Sequence, residues 1–122
     1  MAEKQLPFVL IGYRKCSTCR AVEKLLQSKG IDYRYRPIDM ETPTAAELKQ
    51  WQGQSGLAIK KFFNTSGQIY RERKLKDVLP TLADEAAFAL LASEGMLIKR
   101  PILLAGASVY VGRQVKEYLE GL

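Results

Sequence analysis

Histidine is absent from the 122 residues of this chain. That absence excludes Ser-His-Asp and Cys-His catalysis within the chain, and it removes the commonest side-chain ligand of transition metals. Cysteine is nearly absent: only Cys16 and Cys19 occur, in the stretch YRKCSTCRAVEKLL. Two cysteines cannot staple a scaffold, and they supply at most half of a four-ligand zinc site unless two chains share their pairs. No apolar run approaches the roughly 18 residues that a membrane helix needs. The N-terminal stretch MAEKQLPFVLIG has a short apolar run and no small-residue cleavage site behind it, so it reads as a first strand and not as a signal peptide. Internal repeats, low-complexity tracts and linkers are missing as well.

What is present describes an ordinary globular protein. With 47% hydrophobic and 26% charged residues, the chain suits one domain, residues 1–122, that buries a core without staples. The default compartment is the cytoplasm. Thiols are kept reduced there, so a lone cysteine pair points to catalysis, sensing or metal binding and not to a permanent bridge. Nineteen Lys and Arg against thirteen Asp and Glu give a net charge of +6, which favours anionic partners. The charges are spread along the chain in small clusters, YRYR, IKK and RERKLK, and a solvated face is the simpler reading of them. Neither direct nucleic-acid binding nor membrane association is expected, and the chain reads as a monomer.

The order of elements is informative. PFVLIGY (7–13) is a continuous apolar run ending in Gly, which suits a strand buried on both faces. Beyond the cysteines, Val22, Leu25 and Leu26 recur at helical spacing, and Gly30 ends the segment as a C-terminal cap. In IDYRYRPI (31–38) tyrosines alternate with arginines, the pattern of a strand with one exposed side. From about residue 42 to 96 the reading is helical. Thr44 and Glu47 have capping-box spacing ahead of Leu48 and Trp51, GLAIKKFF (56–63) suits a short helix before the turn NTSG, and LADEAAFALLASEG (82–95) a longer one ended by Gly95. Two apolar runs around Ala105–Gly106–Ala107 then predict a β-hairpin over 102–112, and Val115, Tyr118 and Leu119 mark a last amphipathic helix. Strand-helix-strand, a helical insert, then strand-strand-helix is an α/β class: a mixed sheet on the thioredoxin or glutaredoxin plan.

On that plan Cys16 lies at the start of the first helix and Cys19 within its first turn. Unpaired amides and the positive end of the helix dipole favour a thiolate there, and Arg14, Lys15 and Arg20 add positive charge. The first cysteine is expected to be the more exposed nucleophile and the second to resolve its mixed disulfide. Shared metal binding and an inert pair are the alternatives, and redox chemistry is the favoured reading. Arg100–Pro101 is a second constellation. In thioredoxin-like folds the loop facing the cysteines carries a cis proline, and an Arg before it would aim a bidentate cation at the pocket. A solvated Arg beside a trans proline is the plainer alternative.

KCSTCR behind a first strand, KKFFNTSGQIYRE, LLASEGMLIKRPIL and the closing VYVG together resemble the arsenate reductase-like family of the thioredoxin superfamily, from about Val9 to Tyr118. That family includes glutaredoxin-linked arsenate reductases and the Spx/MgsR-type transcriptional regulators. The resemblance implies a cytosolic bacterial protein with Cys16 as reactive thiol and Arg100 opposite it. It implies no bound cofactor, with glutathione, thioredoxin or glutaredoxin as electron donor. It also implies, for a regulator, docking on the RNA polymerase α subunit through a surface that includes a glycine of the insert, for which Gly53 and Gly56 are candidates. Two departures stand out. The arsenate reductases resemble Cys-Gly-Thr-Ser at the active turn, whereas Ser17 and Cys19 here give the CxxC of the regulators. Of three arginines expected around arsenate, only Arg100 is matched; Asn64 and Gly112 occupy the other places, with Arg113 adjacent. The expectation is therefore a thiol–disulfide redox protein that uses Cys16, Cys19 and Arg100 beside Pro101, with a redox-sensing regulator as the alternative.

Overall fold

The computed structural model describes residues 8–122. Pro7, where the sequence-based first strand opens, and the residues before it lie outside that range. The chain divides into two compact units: residues up to Pro37 together with Arg100–Leu122, and Ile38–Lys99.

The first unit holds a four-stranded sheet in the order β2-β1-β3-β4. Strand β1 (Phe8–Gly12) runs parallel to β2 (Arg34–Pro37), with Leu10 opposite Tyr35. It runs antiparallel to β3 (Ile102–Ala105), with Leu10 opposite Leu103, and β3 pairs antiparallel with β4 (Ser108–Val111) across the tight turn at Ala105–Ser108. Helices α1 (Ser17–Ser28) and α6 (Arg113–Glu120) share one face of the sheet. Because side chains alternate along a strand and recur every three to four residues along a helix, Leu10 and Leu103 meet Val22 and Leu26 of α1 and Val115 and Leu119 of α6. All six are at most 2% exposed. Tyr110 stacks on Tyr118 at 4.1 Å, and Phe8 meets the Tyr118 ring edge-on at 6.3 Å, which closes the open end of this core.

This is the thioredoxin-like plan, and the element order β-α-β, helices, β-β-α is the one expected. The second strand is shorter than the sequence suggested: residues 31–33 run into it as irregular chain, and pairing begins at Arg34. Tyr33 nevertheless packs on the core with Tyr35.

The second unit is helical. Helix α2 (Ala45–Ser55) opens with the expected reciprocal cap: the Glu47 amide donates to Thr44 Oγ1 at 3.1 Å, and the Thr44 amide donates to Glu47 Oε1 at 3.0 Å. Short helices α3 (Gln68–Glu72) and α4 (Leu75–Val78) follow, then α5 (Asp84–Ser93), which packs on α2. The segment 56–63 makes only a 3-10 turn, Ile59–Phe62, and neither α3 nor α4 was legible beforehand. Gly95 does not end α5 but opens a 3-10 turn, Gly95–Leu97. A β-carbon on Gly95 would stand 2.7 Å from the Ile38 carbonyl oxygen, so the close approach of two backbones explains this glycine. Among the described residues no helix is long and apolar enough to cross a membrane.

Candidate active site

The loop from β1 to α1 is drawn tight by two backbone bonds. The Cys16 amide donates to the Tyr13 carbonyl at 2.9 Å, and the Arg20 amide donates to the Cys16 carbonyl at 3.1 Å. Cys16 is thereby the N-cap of α1, with extended backbone (φ −89°, ψ 118°), and Cys19 falls in the first turn. No acidic residue occupies that turn, so nothing offsets its positive end. The two thiols are free, Cys16 half-buried and Cys19 1% exposed.

Their environments separate their acidities. Burial alone would raise the Cys16 thiol. Favourable interaction with the Cys19 amide and thiol, the charge of Arg100 and the Thr18 amide outweigh it and hold the Cys16 pKa below that of an ordinary cysteine. Cys19 goes the other way. Burial is the largest influence, the neighbouring Cys16 adds to it, and together they push the thiol up to about 12 against the opposing pull of the Tyr13 amide and Arg100. Glycine at position 12 makes room for this buried sulfur. A β-carbon there would lie 3.3 Å from both Cβ and Sγ of Cys19 and 3.4 Å from the Tyr35 ring.

The Arg100–Pro101 peptide bond is cis. Pro101 is buried, and its carbonyl accepts from the Gly112 amide at 2.8 Å. The Arg100 guanidinium lies 5.4 Å from the centre of the Tyr13 ring and acts electrostatically on both sulfurs. The fold thus sets Arg100, which precedes the buried Pro101, within electrostatic reach of Cys16 and Cys19.

The sequence did not single out a supporting group behind the loop. The Arg14 guanidinium sits 4.0 Å above the Tyr35 ring and 3.6 Å from Glu23, and Glu23 accepts from the Tyr33 hydroxyl at 2.8 Å. The alternation of Tyr33 and Tyr35 was the available signal, because it set both rings on the face that α1 covers. The sequence resemblance sets Asn64, and a place near Gly112, against two further arginines of the arsenate reductases. The Asn64 side chain accepts from the Ser66 hydroxyl at 3.3 Å, and Gly112 has φ +62°. Among the described residues, no three His, Cys, Asp or Glu side chains cluster so as to hold a metal ion.

A mixed sheet with a cysteine pair at the start of its first helix and a cis proline ahead of β3 defines a thioredoxin-fold protein with a CxxC centre. Residues 11–121 match the ArsC family, and the chain belongs to that family. It is 44% identical to the protein YusI of Bacillus subtilis (strain 168) over 88% of this chain and 92% of that one. It is 30% identical to an arsenate reductase of Neisseria meningitidis, over 84% of this chain and 86% of the relative. The regulatory protein MgsR of B. subtilis matches at 27% identity over 97% and 90% of the two chains. Among solved structures, an ArsC family related protein from Bacteroides fragilis is 42% identical and superposes with a TM-score of 0.89 over 96% of this chain and 98% of its own.

Proposed function

We propose that this protein is a cytoplasmic thiol–disulfide oxidoreductase in which Cys16 attacks and Cys19 resolves. The observation that carries this reading is the divergence of the two thiols, one held low at a helix N-terminus and the other pushed up to about 12 three residues later. In the first step the Cys16 thiolate forms a bond to one sulfur of a substrate disulfide, whose S–S bond breaks to release a thiolate. Cys19 then gives up its proton, with the departing thiolate as acceptor, and attacks Cys16 Sγ. The substrate's second sulfur leaves, and a Cys16–Cys19 disulfide remains. The substrate has gained the two electrons that the cysteine pair has lost. Glutathione, thioredoxin or glutaredoxin returns them. Arg100 stabilises the Cys16 thiolate and orients an anionic substrate group such as a glutathione carboxylate or a small oxyanion.

A second reading is favoured by the CxxC itself and by the match to MgsR along almost the whole chain. In it the same pair is a redox sensor, and its oxidised state alters a surface that docks on the RNA polymerase α subunit. One trapping experiment separates the two. Cys19→Ser leaves Cys16 competent to attack but removes the resolving thiol, so a mixed disulfide should accumulate with the natural partner. Small-molecule or thioredoxin-type adducts on Cys16 support the oxidoreductase. Co-purification of polymerase α that depends on the redox state of the wild-type pair supports the regulator. Absence of any Cys16 adduct in the Cys19→Ser protein under oxidising conditions overturns the thiol chemistry common to both.

A further inference from the structure

We propose that the helical unit carries a binding site, built from residues 59–99, for a small phosphate ester bearing a single ring-sized apolar group. Two concavities meet there at Lys60 and Phe63. The first encloses about 200 Å³ over an apolar floor that includes Ile59, Phe63, Tyr70, Leu79, Leu82 and Ala87. The second encloses about 290 Å³ and is lined by Lys60, Lys61, Lys99, Thr65 and Phe63, with no carboxylate.

Local structure explains why these chemistries lie side by side. The 3-10 turn Ile59–Phe62 leaves Lys60 and Lys61 exposed, while Phe62 and Phe63 are at most 2% exposed. The Lys99 amide donates to the Phe62 carbonyl at 2.7 Å, and Phe63 bridges Ile98, so a third lysine is fixed against the same turn. Phe63 and Tyr70, with ring centres 6.3 Å apart, form a rigid aromatic wall.

Like most lysines among the described residues, the three lysines of this cleft have no carboxylate partner, although Lys99 is half-buried. Lys49 and Lys116 find such partners, at 2.9 and 4.0 Å. Three like charges gathered without a counter-ion repel one another, and a bound anion relieves that repulsion. Lysine ammoniums are point charges with freely turning donors, which suits a tetrahedral phosphate dianion better than it suits a planar carboxylate. The Thr65 hydroxyl can donate to a further oxygen. The adjoining cavity lies below the roughly 300–1,000 Å³ of sites for larger ligands, so one ring is the group it admits. Asp84 and Lys76 line that cavity too.

The test uses three probes on the intact chain: phenyl phosphate, inorganic phosphate and phenol, each titrated by calorimetry and by amide chemical shifts. Phenyl phosphate should saturate and bind about tenfold or more tightly than either half alone. The shifts should fall at 59–65, 79–87 and 97–99. Lys61→Gln combined with Lys99→Gln should weaken phenyl phosphate by about tenfold and leave phenol and the thermal midpoint unchanged. Equal affinity for phenyl phosphate and inorganic phosphate would reduce the site to simple ion pairing and overturn the proposal. So would shifts confined to residues 13–20 and 100, undiminished affinity in the double variant, or the lack of saturation.

Discussion

Position relative to one helix end separates two chemically identical side chains here. Cys16 stands at the cap of α1 with Arg100 acting on it, and Cys19 is shut beneath it against Gly12. Alkylation reads the difference directly, because only the thiolate reacts. As pH rises, Cys16 should react with iodoacetamide first, with a midpoint below the ordinary thiol value, and Cys19 only far into the alkaline range. Mass-spectrometric detection of Cys19 labelled first at neutral pH would reverse the roles. Arg100→Ala removes a cation that favours the thiolate, so the Cys16 midpoint should move up and disulfide exchange should slow. The fold should hold, since a partly exposed charge contributes little to it. Arg100→Lys should restore only part of the rate, because a point charge lacks the planar fork. Arsenate reduction should be weak or absent. An oxyanion of two or three charges needs several fixed donors, and of the three arginines that the resemblance leads one to expect the sequence matches only Arg100. An assay coupled to glutaredoxin, then to thioredoxin, tests this; turnover near roughly 10 per second would contradict it.

Elements were legible where local chemistry repeats or caps them. Helix α1 announced itself through Val22, Leu25 and Leu26 and its closing Gly30, and α2 through Thr44 and Glu47. Thr44→Ala removes the acceptor for the Glu47 amide and should lower stability by about 1 kcal/mol in urea denaturation, whereas Thr44→Ser should be nearly neutral. Helices α3 and α4 escaped notice for a physical reason. Five and four residues are too few to show a 3.6-residue period, and RERKLK reads as one solvated charge run. The structure divides that run at Lys74, whose φ of +52° separates the two helices, and it buries Leu75. The second strand was read too long because the alternation of Tyr33 and Tyr35 continues a face that backbone pairing does not reach.

For the whole molecule, the sheet unit depends on six side chains drawn from four elements. Leu103, fully buried among them, should destabilise the protein by about 2–5 kcal/mol as Leu103→Ala, with the denaturant midpoint reduced. An effect under half a kcal/mol would mean that this core is not the one holding α1 and α6 to the sheet. The sequence by itself determined the order of elements, the thioredoxin plan and the place of the cysteine pair. Hydrophobic period, capping residues and the strand-to-helix change around KCSTCR are all local, and local patterns survive in a linear string. Only the tertiary structure decided the deep burial that pushes the Cys19 thiol up, the clasp of Arg14 on Tyr35 and Glu23, and the gathering of Lys60, Lys61 and Lys99. Each of these arises from burial, or from charges on segments far apart in the chain, and neither burial nor distance exists until the backbone has brought those segments together.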